Sequence, residues 1–242
     1  MQYVKILLIM LVVAVSLFTG AAMPGNAAVE ETFNQLRPKA ERGDARAQFK
    51  LGIMYANGHG VAQNYEEAVK WYRQAAEQGH RQAQVDLGTM YANGHGVAQN
   101  YEEALKWYRQ AAELGHPQAQ FNLGVMYDTG KGVPQNYEEA MKWYRQAAEQ
   151  SDARAQFNLG VLYLAARDYA QAAQWFRKAA EQGHREAQYR LAVMCWGGQG
   201  VAQSDTEAEK WFRLAAQQGD TDAARRAKEI QAEMERKKST AP

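Results

Sequence analysis

The sequence predicts an all-α solenoid of repeated helical hairpins, and three observations carry that prediction. Five of the six tryptophans, Trp71, Trp107, Trp143, Trp175 and Trp211, recur at matched positions, and aligning on them exposes a period of 36 residues. Residues 43–78 and 79–114 are identical at 28 of 36 positions, with Met54–Ala68 returning unchanged as Met90–Ala104. The apolar residues inside each period fall at helical spacing, and no strand-like alternation appears. A self-similar period of this length marks a chain whose repeats pack mainly on their neighbours. Five repeats follow: 43–78, 79–114, 115–150, 151–182 and 183–218.

Residues 1–27 precede them and differ in kind. Lys5 gives a positive start, Ile6 to Phe18 is apolar apart from Ser16, and small residues crowd Gly20 to Ala28. This is the three-part pattern of a secretory signal peptide, and the run is short for a spanning helix. Cleavage after Ala22 or after Ala27 satisfies the small-x-small rule. Ala27 is favoured, because the charged chain starts at Val29-Glu30-Glu31. An uncleaved anchor is the alternative reading. Cleavage implies a periplasmic or secreted protein with no stable membrane insertion. Residues 28–42, with Val29, Phe33, Leu36 and Ala40, predict an N-terminal capping helix kinked or split at Pro38.

Each repeat then reads as two helices, A and B. In the first repeat Ala47, Leu51, Met54 and Tyr55 share one face of helix A, and Tyr65, Ala68, Tyr72, Ala75 and Ala76 one face of helix B. Helix B carries a start signal every time: Asn64…Glu67, Asn100…Glu103, Asn136…Glu139, Asp168…Gln171 and Ser204…Glu207 have capping-box spacing. Glu66–Lys70, Glu102–Lys106 and Glu138–Lys142 are spaced as i,i+4 ion pairs. Gly79, Gly115, Gly183 and Gly219 follow helix B as left-handed end residues. Ser151 replaces that glycine once, at about 1 kcal/mol if the same backbone is kept. The fourth repeat omits the Gly-x-Gly-Val loop, so its hairpin should turn tightly. The fifth weakens, with Ala192, Cys195 and Asp205 at motif positions. Residues 219–242 form a charged helix with one apolar stripe, Ala223, Ala227, Ile230 and Met234, suited to capping the array, and then a frayed tail.

Little in the composition points to chemistry. Twenty-eight basic against twenty-seven acidic residues leave a net charge of +1, which argues against a nucleic-acid binder working through bulk charge. The lone Cys195 cannot form an internal disulfide and stands where other repeats have tyrosine, as a buried thiol would. His59 and His95 share one register, and His80, His116 and His184 another, so like histidines sit a full repeat apart. No shared metal is expected from that spacing. Gly58-His59-Gly60 and its copies follow no strand and precede no Gly-Lys-Ser/Thr, so they read as turns and not as phosphate loops. Ser151, Ser204 and Ser239 are the serines beyond the leader, and none has a paired base. Neither cofactor, metal nor catalytic site is expected.

Repeat after repeat reads A-Q-x-x-L-G-x-M-Y-x-x-G-x-G-V-x-Q-N-Y-x-x-A-x-x-W-Y-R-x-A-A-E-x-G, which closely resembles the Sel-1-like repeat, a relative of the tetratricopeptide repeat. The resemblance covers 43–218 and implies a right-handed superhelical solenoid of five helix-turn-helix units that assembles protein or peptide partners. A cysteine-rich branch of that family is linked to penicillin hydrolysis, but this chain lacks those cysteines. In such a stack the helix-A face opposite the core stripe lines a concave groove. Here it carries Arg46, Phe49 and Ile53, then Gln82 and Val85, then Gln118, Phe121 and Val125. It continues with Arg154, Phe157 and Val161, and ends with Glu186, Tyr189, Val193 and Trp196. An apolar, aromatic stripe where a solvated face should be polar reads either as a partner groove or as packing against the next repeat. A monomeric adaptor binding through this face is the first reading. A binder of cell-wall glycan or short peptide, using Arg46, Gln82, Gln118 and Arg154, is the second.

Overall fold

The computed structural model describes residues 24–239, and among them the chain is helical, with no strand. The apolar run expected of a targeting segment lies outside the described residues. The helices are α1 (Pro24–Glu41), α2 (Ala45–Asn57), α3 (Tyr65–Glu77), α4 (Arg81–Asn93), α5 (Tyr101–Glu113) and α6 (Pro117–Thr129). They continue as α7 (Tyr137–Glu149), α8 (Ala153–Ala165), α9 (Tyr169–Glu181), α10 (Arg185–Gly197), α11 (Asp205–Gln217) and α12 (Thr221–Ser239). The described residues divide into two compact units, 24–99 and 100–239. Within the first, α1 to α4 each pack on the next helix in sequence; within the second, α5 to α12 do the same. The fold is an all-α solenoid.

Local chemistry sets the helix ends. Asn64, Asn100 and Asn136 accept the N–H three residues on at 3.0, 3.0 and 3.1 Å, and Asp168 and Ser204 do likewise. The neighbouring charges pair differently from the i,i+4 expectation. Lys70, Lys106 and Lys142 each reach the glutamate three residues back, Glu67, Glu103 and Glu139, at 2.5 Å. That glutamate is the half-buried one of each pair, so its carboxylate is held closer to the helix surface. Ser151 does adopt the left-handed conformation, at φ 67°. The short fourth repeat turns tightly through Ala166, Arg167 (φ 63°) and Asp168. Pro38 does not split α1. It sits in the last turn, where its missing N–H costs one ladder bond at the helix end.

Two features of the A-Q-x-x-L-G motif build the core. The glutamines Gln48, Gln84, Gln120, Gln156 and Gln188 are each only 4% exposed. Their Nε2 groups donate to the carbonyls of Ala40, Ala76, Ala112, Ala148 and Ala180, at the C-terminal end of the preceding helix. Gln78, Gln150, Gln182 and Gln218 donate in turn to the Oε1 of Gln48, Gln120, Gln156 and Gln188. Orphan carbonyls of one helix are thus satisfied by the next, which burial requires. The motif glycine makes room for a ring: a Cβ on Gly52, Gly124 or Gly160 would sit 2.4, 2.6 or 2.7 Å from Tyr72, Tyr144 or Phe176.

Candidate partner-binding face

The stripe on the helix-A faces can be followed within each compact unit. In the first, Arg46 is exposed while Phe49 is half-buried, its ring 5.9 Å from Tyr72 and stacked at 4.5 Å on His80. Ile53 is half-buried. Val85 departs from the expectation, because it is fully buried and can touch no partner. Its side chain is shorter than the phenylalanine at the same register in other repeats, and it stops beneath the surface. Gln82 donates to Asp86 at 3.0 Å, and burial raises the Asp86 carboxyl pKa against that bond.

The second unit carries the longer stretch. Phe121 leans on Tyr144 at 5.9 Å, and the Arg154 guanidinium lies 4.3 Å from the centre of its ring. Arg154 is also held by Asp152 at 2.6 Å, so its charge is committed within the chain. Val125 packs beside Phe121 on the cluster around Tyr144 and Leu159. Phe157 lies 5.7 Å from Phe176 and stacks on His184 at 4.7 Å, and Tyr189 meets Phe212 edge-on at 5.3 Å. The inner sides of these aromatics are therefore packing surfaces. Three side chains on the same face are not: Val161 and Val193 are 36% exposed and Trp196 is 40% exposed, with Arg226 5.4 Å from its ring. Phe157 and Tyr189 also wall a recess of about 330 Å³ with Glu186, Arg190, Asp220 and Asp222.

The structure gives several residues work that sequence reasoning missed. His80 and His184 cap α4 and α10, their Nδ1 atoms accepting the N–H of Ala83 and Ala187 at 3.2 and 3.3 Å. Asp44 and Asp152 stand in the same register ahead of α2 and α8, a signal that could have exposed the role. Burial lowers the pKa of both histidines; at His184 the nearby Glu186 opposes it. Arg73, Arg109 and Arg145 on helix B donate to Tyr91, Tyr127 and Tyr163 on the following helix A. Cys195 takes that tyrosine position in the fifth repeat. It is buried, which raises its thiol pKa against the pull of Arg177. The thiol is an inert core group. Among the described residues no three metal-ligating side chains come together, and no helix is long and apolar enough to cross a membrane.

The comparisons with known proteins bear on what this arrangement is. The family model described as Sel1 repeat matches residues 45–80, 81–116, 117–152, 153–184 and 185–220, starting each repeat at or beside the first residue of helix A. Among solved structures, the chain is similar to a protective antigen present in uropathogenic Escherichia coli strains that displays an SLR fold. The two are 39% identical with a TM-score of 0.83, over 84% of this chain and 44% of that one. It is also similar to a Sel1 repeat protein from Oxalobacter formigenes, at 36% identity and a TM-score of 0.74, over 82% of this chain and 58% of the other. This chain thus spans about half the length of those two relatives. An immunity protein from Pseudomonas aeruginosa, 22% identical with a TM-score of 0.50 over 84% of this chain and 78% of that one, shares the fold alone. No curated protein matches significantly.

Proposed function

The chain belongs to the Sel1-repeat family, and from that membership we propose that it is an exported, non-catalytic scaffold that binds protein or peptide partners through its helix-A faces. Sel1-repeat proteins generally mediate protein–protein interaction, and the scaffold is generally non-catalytic. The observation that carries the site is the exposure of Val161 and Val193 at one register, and of Trp196 one turn beyond Val193, beside rings already fixed by packing. Rigid aromatic anchors flanked by exposed apolar side chains lose little entropy on binding, which is how interface hot spots are built. A near-neutral chain further favours recognition by shape and apolar contact over bulk charge. Export rests on the pattern of residues 1–27, and mass spectrometry of the mature N-terminus tests it: an intact Met1 on purified protein would reject cleavage.

The packed rings are the wrong place to test the groove, because Phe121 and Phe157 hold Tyr144 and Phe176. Val161→Ser and Val193→Ser are the better probes. Each should leave stability within about 0.5 kcal/mol of wild type, and Trp196→Ala should cost no more than about 1 kcal/mol through its contact with Arg226. A photo-crosslinker placed at Val193 should capture a defined partner in the native compartment, and the Val161→Ser and Trp196→Ala variants should lose that capture. Undiminished capture in folded variants would sink this reading. The recess between Phe157 and Tyr189 favours a short peptide as a second reading, with Glu186, Arg190, Asp220 and Asp222 as its polar groups.

A further inference from the structure

Helix B begins with tyrosine in the first four repeats, at Tyr65, Tyr101, Tyr137 and Tyr169. Three of these are covered by the loop of the following repeat. His95 stacks on the Tyr65 ring at 5.1 Å, and the Lys131 ammonium lies 5.5 Å from the centre of the Tyr101 ring. The glycine after each covering residue closes on the helix backbone. A Cβ on Gly96 would sit 2.3 Å from the Tyr65 carbonyl oxygen, on Gly132 2.6 Å from that of Tyr101, and on Gly200 2.1 Å from that of Tyr169. All three glycines hold φ near +70°. Both the space and the backbone therefore demand glycine at that point.

Tyr137 has no such cover, because the repeat that follows it is the one without the loop. Its side chain is 53% exposed, against 38% for Tyr65 and Tyr169. It makes no ring, hydrogen-bond or cation contact among the described residues. The first-turn charges indicate what would cover it. Tyr65 is followed by Glu66-Glu67 and Tyr101 by Glu102-Glu103, and their covering residues are His95 and Lys131. Tyr169 is followed by Ala170-Gln171, and the neutral Gln199 stands in the covering position. Tyr137 is followed by Glu138-Glu139 and so belongs to the acidic type. Lys142 engages Glu139, while Glu138 forms no ion pair among the described residues.

We propose that the uncovered first turn of α7 is a docking site for a turn of a partner protein that carries a basic residue followed by glycine. The glycine lies at positive φ on the Tyr137 carbonyl, and the basic side chain lies over the Tyr137 ring beside Glu138. The partner supplies in trans what the chain's own loops supply at Tyr65 and Tyr101. The surface is on helix B and does not depend on the helix-A face, so either can fail without the other.

The probe is the end-capped peptide Asp-Thr-Gly-Lys-Gly-Val-Pro-Gln-Asn, the chain's own residues 128–136, titrated into the full chain and read by backbone-amide NMR. Saturable shifts are expected at Tyr137, Glu138 and Glu139, with a dissociation constant on the order of 1 mM for so short a ligand. Tyr137→Ala should weaken binding about tenfold or more at unchanged helicity. Peptides with the lysine changed to glutamate, or the second glycine to alanine, should bind no better than that variant. Inserting Gly-Lys-Gly-Val into the fourth hairpin should cover Tyr137 and abolish binding. The proposal is overturned by absence of saturable shifts up to about 10 mM, by equal binding of the altered peptides, or by binding retained after the insertion. A concentration-dependent dimer lost in Tyr137→Ala would assign the occupant to a second copy of this chain and overturn the assignment to a different protein.

Discussion

His80 and His184 accept a backbone N–H through Nδ1, which an imidazolium cannot do. Their histidine register looked empty in the sequence because metal or catalytic chemistry needs several such groups together. A helix cap needs one acceptor at one position. Burial lowers both pKa values below the ordinary 6.5, so between the folded pKa and 6.5 the unfolded chain binds more protons than the folded one. Stability is then fully present above about pH 6.5, falls as pH drops below it, and levels off below the folded values. Asp44 does the same job at α2 with a carboxyl pKa lowered by its bond to the Ala47 N–H, so it stays charged through that window. The thermal midpoint of the wild-type chain should therefore fall between pH 7.5 and pH 5.5, and His80→Asp/His184→Asp should flatten that slope. Equal slopes in the two proteins would remove the histidines as its cause.

At the scale of the helical hairpin, the glycine of A-Q-x-x-L-G was visible in the sequence and its reason was not. A mid-helix glycine costs about 1 kcal/mol relative to alanine, so it stands there only where something else gains more. The gain is the approach of an aromatic ring from helix B, Phe176 in the fourth repeat, which is fully buried. Ala192 takes the glycine position in the fifth repeat, and there the Tyr189–Phe212 pair is edge-on at 74°, where Phe157–Phe176 is tilted at 43°. Gly160→Ala should destabilise the protein by about 1–2 kcal/mol, overpacking outweighing the propensity gain. Phe176→Leu in the same chain should cancel part of that loss in a double-mutant cycle of denaturant midpoints. Additive losses would place the ring and the glycine in separate roles. The buried glutamines follow the same logic. The period announced them, but only the positions of the alanine carbonyls of the preceding helix explain a polar side chain at 4% exposure. Periodicity reads out which residues recur; it does not read out which partner across the repeat boundary each one answers.

For the whole chain, helix content, repeat number and the short fourth hairpin were all legible, because they depend on spacing along one strand of sequence. The division of the helix-A stripe into packed and exposed members was not, because it depends on side-chain reach: Phe121 extends to Arg154 while Val85 stops in the core. Where each helix packs on the next within a compact unit, stability is a sum of repeats and nearest-neighbour interfaces. α12 packs on the fifth repeat. Ala223, Ala227 and Ile230 are buried and Met234 packs beside them, on the cluster that holds Trp211 and Phe212. Lys237 adds a 2.9 Å ion pair to Asp205. Ile230→Asp places a carboxylate in that seam and should cost about 3–5 kcal/mol by lifting α12 from the fifth repeat. Ile230→Val removes one methyl group and should cost about 0.5–1.5 kcal/mol. The two variants should also differ in kind. With Ile230→Asp the emission of Trp211, 5% exposed in the intact chain, should shift to the red before the main denaturant transition, whereas Ile230→Val keeps a single transition. An Ile230→Asp chain with an unchanged midpoint and unshifted emission would mean that the fifth repeat keeps its core without α12.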